Sequence, residues 1–213
     1  MTAPALLAEL LAILGEEDPR AELTRRGMWL AELLQTTPNR ARLDGLVEIE
    51  TGQLFEWDAE RRLAALLPDE PVTIARLMAD LDAPAALRAR LAGAAAEAGV
   101  RIVSWLSPRE IRRAIYRIGA PAFRDRVMLG WASAKRSATT PQWRMLLIYP
   151  ETWTPPEFPL GAAEIRAAGV PPGPLAEQVR REVEEWWIDL DFTDDKMAAV
   201  ERLKAVVQGL VYA

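Results

Sequence analysis

Apolar residues recur along this chain with a period close to 3.6, and the breaks between periodic stretches fall on glycine and proline. Leu6, Leu7, Leu10, Leu11 and Leu14 share one face of a predicted helix that Gly15 stops. Asp18-Pro19 opens a second, short helix, with Asp as cap and Pro at the first helical position, and Gly27 ends it. The segments MWLAELL (28–34), ARLDGLVEIE (41–50) and DAERRLAALL (58–67) continue the pattern, punctuated by Pro38, Gly52 and Pro68. PVTIARLMADL and PAALRARLAGAAAEAG predict a helix pair joined at Asp82-Ala83. No stretch reads convincingly as a strand, so the predicted fold is all-α, a helical array.

The most basic stretch of the chain is two further helices. SPREIRRAIYRIG starts with a capping box, in which Ser107 is the cap, Pro108 follows and Glu110 reaches back. Ile111, Ile115 and Ile118 form its buried stripe and leave Arg109, Arg112, Arg113, Tyr116 and Arg117 on the other faces. In PAFRDRVMLGWA the stripe is Phe123, Val127 and Trp131, which predicts Arg124 and Arg126 outside, with Lys135 and Arg136 on a following loop. Residues 150–174 hold Pro150, Pro155, Pro156, Pro159, Pro171 and Pro172 before Pro174, and read as a semi-rigid hinge around a short helix near 162–168. The expected organisation is a helical body (1–149), a proline-rich connector (150–174) and a small helical tail (175–213). Trp153, within the connector, belongs to no stripe.

In the tail, Leu175, Val179, Val183, Trp186 and Trp187 mark the buried side of one helix. Thr193 is the predicted cap of the last helix, with Phe192 stapled onto Met197 and a stripe of Met197, Val200, Leu203, Val207 and Leu210. The acidic pair Asp189 and Asp191 has the Asp-x-Asp spacing that can hold a divalent ion against a triphosphate when it lies on a strand. Here it falls at a helix–helix corner. No glycine-rich loop precedes it, and no third carboxylate is placed to complete a metal site.

Composition narrows the chemistry. The chain has no cysteine and no histidine, which excludes a thiol nucleophile, a histidine base, the usual zinc ligands and a Ser-His-Asp triad. The absence of cysteine fits a reducing, cytoplasmic setting. The opening MTAPALLAEL has no basic n-region and is not read as a secretory signal. Charge is more telling. Between Arg101 and Arg144 ten cations face two acids, a balance of +8, which leaves −13 for the remainder of a chain at −5. Nine of the ten cations are arginines, whose planar fork engages two phosphate oxygens at once. Phosphate binding and a solvated face paired with the acidic parts of the chain both fit this polarity.

Several stretches resemble the C-terminal part of bacterial class II CCA-adding tRNA nucleotidyltransferases, the poly(A) polymerase-like family. They are REIRRAIYRIGAPAFRDRVMLGWA (109–132) and FPLGAAEIRAAGVPPGPLAEQVRREVEEWWIDLDF (158–192), in the family's order. The most specific pieces are Gly169-Val170-Pro171-Pro172-Gly173-Pro174, Trp186-Trp187 and Asp191-Phe192. EEDPRAEL, GMWLAELL and RRLAALLP resemble the helical segment that follows the family's catalytic head and neck. The head's Gly-Gly-x-x-Arg-Asp motif does not occur, and Glu17, Asp18 and Arg20 lack the spacing of the family's Glu-Asp-x-x-Arg template motif, so they read as helix-start residues.

The resemblance implies a tRNA-binding body and tail that position the tRNA 3′ end for a catalytic head absent from this chain. Magnesium and CTP or ATP would belong to that head, so no cofactor, no metal and no catalytic residue is expected here. The RNA contacts implied are Arg109, Arg112, Arg113, Arg117, Arg124 and Arg126, with Lys135 and Arg136 secondary. The expected partners are tRNA and the head domain; neither a membrane nor DNA is expected. The alternative is a free-standing helical protein-interaction module that uses the same arginine-rich face.

Overall fold

In a computed structural model that describes residues 2–95, 100–134, 139–193 and 195–211, with side chains to residue 209, thirteen helices and no strand occur among those residues. They are α1 (Ala3–Leu14), α2 (Arg20–Arg25), α3 (Gly27–Leu34), α4 (Arg40–Gly52), α5 (Ala59–Leu66), α6 (Pro71–Asp80), α7 (Ala85–Ala94), α8 (Pro108–Ile118), α9 (Ala120–Ser133), α10 (Thr140–Thr152), α11 (Ala162–Ala167), α12 (Pro174–Asp189) and α13 (Lys196–Val211). The fold is an all-α helical array. Among the described residues no helix is long and apolar enough to cross a membrane.

Side chains that accept from orphan backbone N–H groups start several of these helices. Asn39 Oδ1 accepts from the Arg42 amide at 3.1 Å, and Asp58 Oδ1 accepts from the Glu60 and Arg61 amides at 3.0 and 3.1 Å. Gly27 does not end the second helix as its sequence suggested; it begins α3. The break falls one residue earlier, on Arg26, whose guanidinium is pinned by Glu9 and Glu22.

The chain divides into two compact units at Trp153/Thr154. In the first, α9 is the central helix, packed against α4, α5, α7, α8 and α10. It is buried on almost every side: Phe123, Asp125, Arg126, Val127, Met128, Leu129, Trp131 and Ala132 are all inside. The α4–α9 crossing is close enough to require glycine at position 45. A Cβ there would lie 2.4 Å from the Ala132 carbonyl oxygen, well inside contact distance. Trp153, unplaced from sequence, rests half-buried against this first core.

The second unit contains α11, α12 and α13 around Leu160, Ile165, Val170, Val179, Val183, Ala199, Leu203 and Val206. Trp187 is clamped edge-on by Phe158 at 5.5 Å and by Phe192 at 5.1 Å. Three of these core residues, Leu160, Ile165 and Val170, come from the proline-rich stretch. That stretch is divided between the two units. Its first residues, 150–152, complete α10, Trp153 packs on the first core, and the stretch from Thr154 onward belongs to the second unit.

The start of α13 also differs from the sequence reading. Asp195 Oδ1 accepts from the Ala198 amide at 3.0 Å and acts as the cap, whereas the Thr193 hydroxyl donates to the Leu190 carbonyl at 2.6 Å. Met197 is exposed, because Phe192 turns back onto Trp187 instead of forward onto the helix.

Candidate nucleic-acid interface

The basic face is built on α8. Its capping box is formed: Ser107 Oγ accepts from the Glu110 amide at 3.4 Å, and Glu110 Oε2 accepts from the Ser107 amide at 2.8 Å and the Ser107 hydroxyl at 2.7 Å. Those bonds, the backbone one first, hold the Glu110 carboxyl below its ordinary range. Ile111, Ala114 and Ile115 are buried, with Ile118 packed at the core's edge. At about 100° per residue, Arg109, Arg112, Arg113, Tyr116 and Arg117 fall on the face directly opposite. Arg109 and Arg117 are exposed, while Arg112, Arg113 and Tyr116 are half-buried.

The segment leading into α8 adds a cation to the same region. Exposed Arg101 lines a cavity of about 420 Å³ together with Leu106, Glu110, Arg113, Ala114 and Arg117. Among the described residues three guanidinium groups border this concavity with one carboxylate, Glu110, which is held in the cap. Sequence reasoning counted Arg101 among the cations but did not place it with the site, because a loop residue has no helical phase to read.

The other expected contacts do not join this group. Arg124 donates to Glu151 Oε1 at 2.8 Å and borders a different cavity, with Leu54, Trp57 and Arg61. Arg144, counted among the cations but not among the expected contacts, donates to Gln53 Oε1 at 2.9 Å and lies over the Phe55 ring. Arg126 is a correction: it is not outside but 7% exposed, and its Nε donates to the Gly93 carbonyl at 2.7 Å. The reason is the central position of α9, whose opposite face also needs filling, so the phase of one apolar stripe misplaced the residue. Lys135 and Arg136 lie outside the described residues.

Arg126 is one of four arginines that close the C-terminal ends of helices. The last carbonyls of a helix have no partner within it and sit at its negative end, where a cation is favoured. Arg126 serves α7 through Gly93. Arg40 Nη2 donates to the Leu23 carbonyl of α2 at 2.6 Å. Arg42 donates to the Ala64 and Ala65 carbonyls of α5, each at 2.9 Å, and to that of Leu67. Arg62, 0% exposed, donates to the carbonyls of Leu14 at 2.8 Å, Glu17 at 3.1 Å and Glu16, at the end of α1.

Arg62 also belongs to a buried ionic network. Its Nε donates to Glu50 Oε2 at 2.7 Å. Asp125 accepts from Arg61 Nε at 2.8 Å and Arg90 Nε at 2.9 Å, and Arg90 also donates to Asp58 at 2.6 Å and Glu60 at 2.9 Å. Burial pushes the Glu50 carboxyl up, against the pull of Arg62 and Arg61. Burial acts on Asp58 in the same sense, but there the Arg90 hydrogen bond and its neighbours outweigh it and hold the carboxyl low. The Arg90 guanidinium is raised by the same bonds, that to Asp125 first.

Every carboxylate of that network has an arginine partner, so none is positioned to bind a metal. Asp189 is the last residue of α12, and Asp191 lies in the turn after it with φ at 58°. Among the described residues no three carboxylates lie close enough to hold a cation. No family model matches the chain, and no curated protein matches it significantly.

Proposed function

We propose that this chain grips folded RNA through the arginine face of α8, as the body and tail of a CCA-adding tRNA nucleotidyltransferase whose catalytic head is supplied outside it. The observation that carries the reading is the placement of Arg109, Arg112, Arg113 and Arg117 on the one face of α8 turned away from its core, with Arg101 beside them. Folded RNA offers a narrow major groove and a regular array of phosphates, so proteins recognise it by shape and by backbone contact. Guanidinium groups spaced along a rigid helix meet that requirement without reading bases. The mechanism assigned to the chain is binding and positioning only; magnesium and nucleotide chemistry would reside in the head.

The test is tRNA binding across a salt series, with Arg109, Arg112, Arg113 and Arg117 changed together to Glu and checked for folding by circular dichroism. Loss of about four phosphate contacts corresponds to a slope of log affinity on log salt of roughly −3 to −4, which the variant should flatten. Arg126 is left in place, since reversing it would break the end of α7. Binding that ignores the four reversals would overturn the reading, as would CCA addition by the chain alone given CTP, ATP and magnesium.

One observation favours a protein-interaction module instead. Leu54 is 93% exposed with φ at 57°, and Trp57 is 48% exposed, both bordering the cavity that Arg124 lines. An apolar residue held in a left-handed conformation and facing water is a candidate protein contact. Co-purification of a second protein lost on Leu54→Asp, with RNA binding intact, would assign this surface separately.

A further inference from the structure

Trp105 is 77% exposed, although the chain buries Trp131, Trp143 and Trp187. It stands two residues before the α8 cap, in a turn closed by the Leu106 amide donating to the Val103 carbonyl at 3.3 Å. Its neighbours face inward: Ser104 is buried and Leu106 is half-buried against the α8 cavity. The backbone is thus anchored on both sides of a large indole that projects into solvent. A rigid aromatic presented in this way is a platform for another ring.

Arg101 connects this platform to the basic face. It lines the cavity of about 420 Å³ with Arg113 and Arg117, and it also lines a second cavity, of about 700 Å³, to which Trp105 belongs. An aromatic platform therefore sits on one side of Arg101 and two further guanidinium groups on the other. Cations that track a phosphate backbone, next to an aromatic face that accepts any base, are the two elements of single-stranded nucleic-acid recognition.

We propose that Trp105 stacks on an unpaired base of bound RNA, whose adjoining phosphate is held by Arg101, Arg113 and Arg117. The proposal rests on the RNA-binding reading above and adds a substrate feature to it. Bases within a duplex are stacked on one another and closed to an indole, so the site selects a single-stranded end or loop. Among the described lining residues Glu110 is the one carboxylate, and its Oε2 accepts from the Ser107 amide and hydroxyl.

The experiment compares binding of the intact chain to a fluorescein-labelled octauridylate and to a blunt RNA duplex, for the unmodified protein, Trp105→Ala, Trp105→Phe and Arg113→Glu/Arg117→Glu. Trp105→Ala should weaken octauridylate binding roughly ten-fold and leave duplex binding unchanged, while Trp105→Phe retains most of the affinity. Quenching of intrinsic tryptophan fluorescence by octauridylate should disappear in Trp105→Phe. The arginine reversals should weaken both ligands. If Trp105→Ala binds octauridylate as tightly as the unmodified protein while the reversals still weaken it, the stacking proposal falls and the RNA-binding reading stands. If the reversals change neither ligand, both fall.

Discussion

Removing the Arg62 side chain tests whether the buried ionic network holds the first unit together. Arg62→Met keeps much of the volume but deletes every donor. It leaves Glu50 buried without its hydrogen-bond partner, with Arg61 at 3.9 Å as its remaining ion pair, and Glu50 Oε1 already lacks a hydrogen bond. It also returns the carbonyls of Leu14, Glu16 and Glu17 to the orphan state of a helix end. Breaking one side of a buried pair typically costs about 3–5 kcal/mol, a large part of the roughly 5–15 kcal/mol that holds a domain together. At a urea slope near 2 kcal/mol per M, the midpoint of the first unit's transition should fall by about 1.5–2.5 M.

The loss should depend on pH. Burial already raises the Glu50 carboxyl above its ordinary value of 4.5, and loss of the Arg62 hydrogen bond raises it further. A carboxyl that holds its proton more tightly folded than unfolded destabilises as pH rises from 4.5 through that raised value. The deficit of Arg62→Met should therefore be larger at pH 7 than at pH 5. Adding Glu50→Leu removes the stranded charge and should restore the larger part of the loss, while the open end of α1 keeps the double variant below the unmodified protein. An Arg62→Met midpoint equivalent to less than about 1 kcal/mol of loss, or a double variant less stable than the single one, would refute the reasoning.

Two further outcomes are expected. Gly45→Ala forces α4 away from the Ala132 carbonyl and should destabilise by about 1–3 kcal/mol in thermal unfolding; an unchanged melting temperature would show that the crossing is not tight. Asp18 is held down to about 2, first by the Arg20 side chain and then by the Arg20 amide, so its contribution to stability is present above its ordinary 3.8 and is lost as pH falls toward 2. Asp18→Asn should flatten that part of the acid-unfolding profile, and an unaltered profile would remove Asp18 from the account.

The helical array was legible because each apolar stripe reports its own phase. The α8 stripe placed four arginines on the opposite face, and the Ser107 cap followed from Ser-Pro-x-Glu. The same logic failed on α9, where one stripe was visible but the helix is enclosed on nearly every side, so Arg126 was placed outside. The proline-rich stretch was legible only in part, because prolines do not say whether the residues between them pack; Leu160, Ile165 and Val170 do, and Pro150 lies inside α10. The ionic network was illegible in principle. Arg61 meets Asp125 across 64 residues and Arg62 meets Leu14 across 48, and no local pattern encodes such pairings. Trp105 was hidden for the opposite reason: its exposure depends on a turn whose neighbours happen to face inward.

The arginines that close helix ends have a consequence for how the first unit assembles. The end of α1 is completed by a residue of α5, the end of α5 by a residue of α4, and the end of α7 by a residue of α9. No such helix can finish its own last turn, so each gains its full stability only once its neighbour has docked. That interdependence makes the helices cooperative: they should appear and disappear in one transition, and a fragment ending before α9 should hold α7 only as a fraying helix.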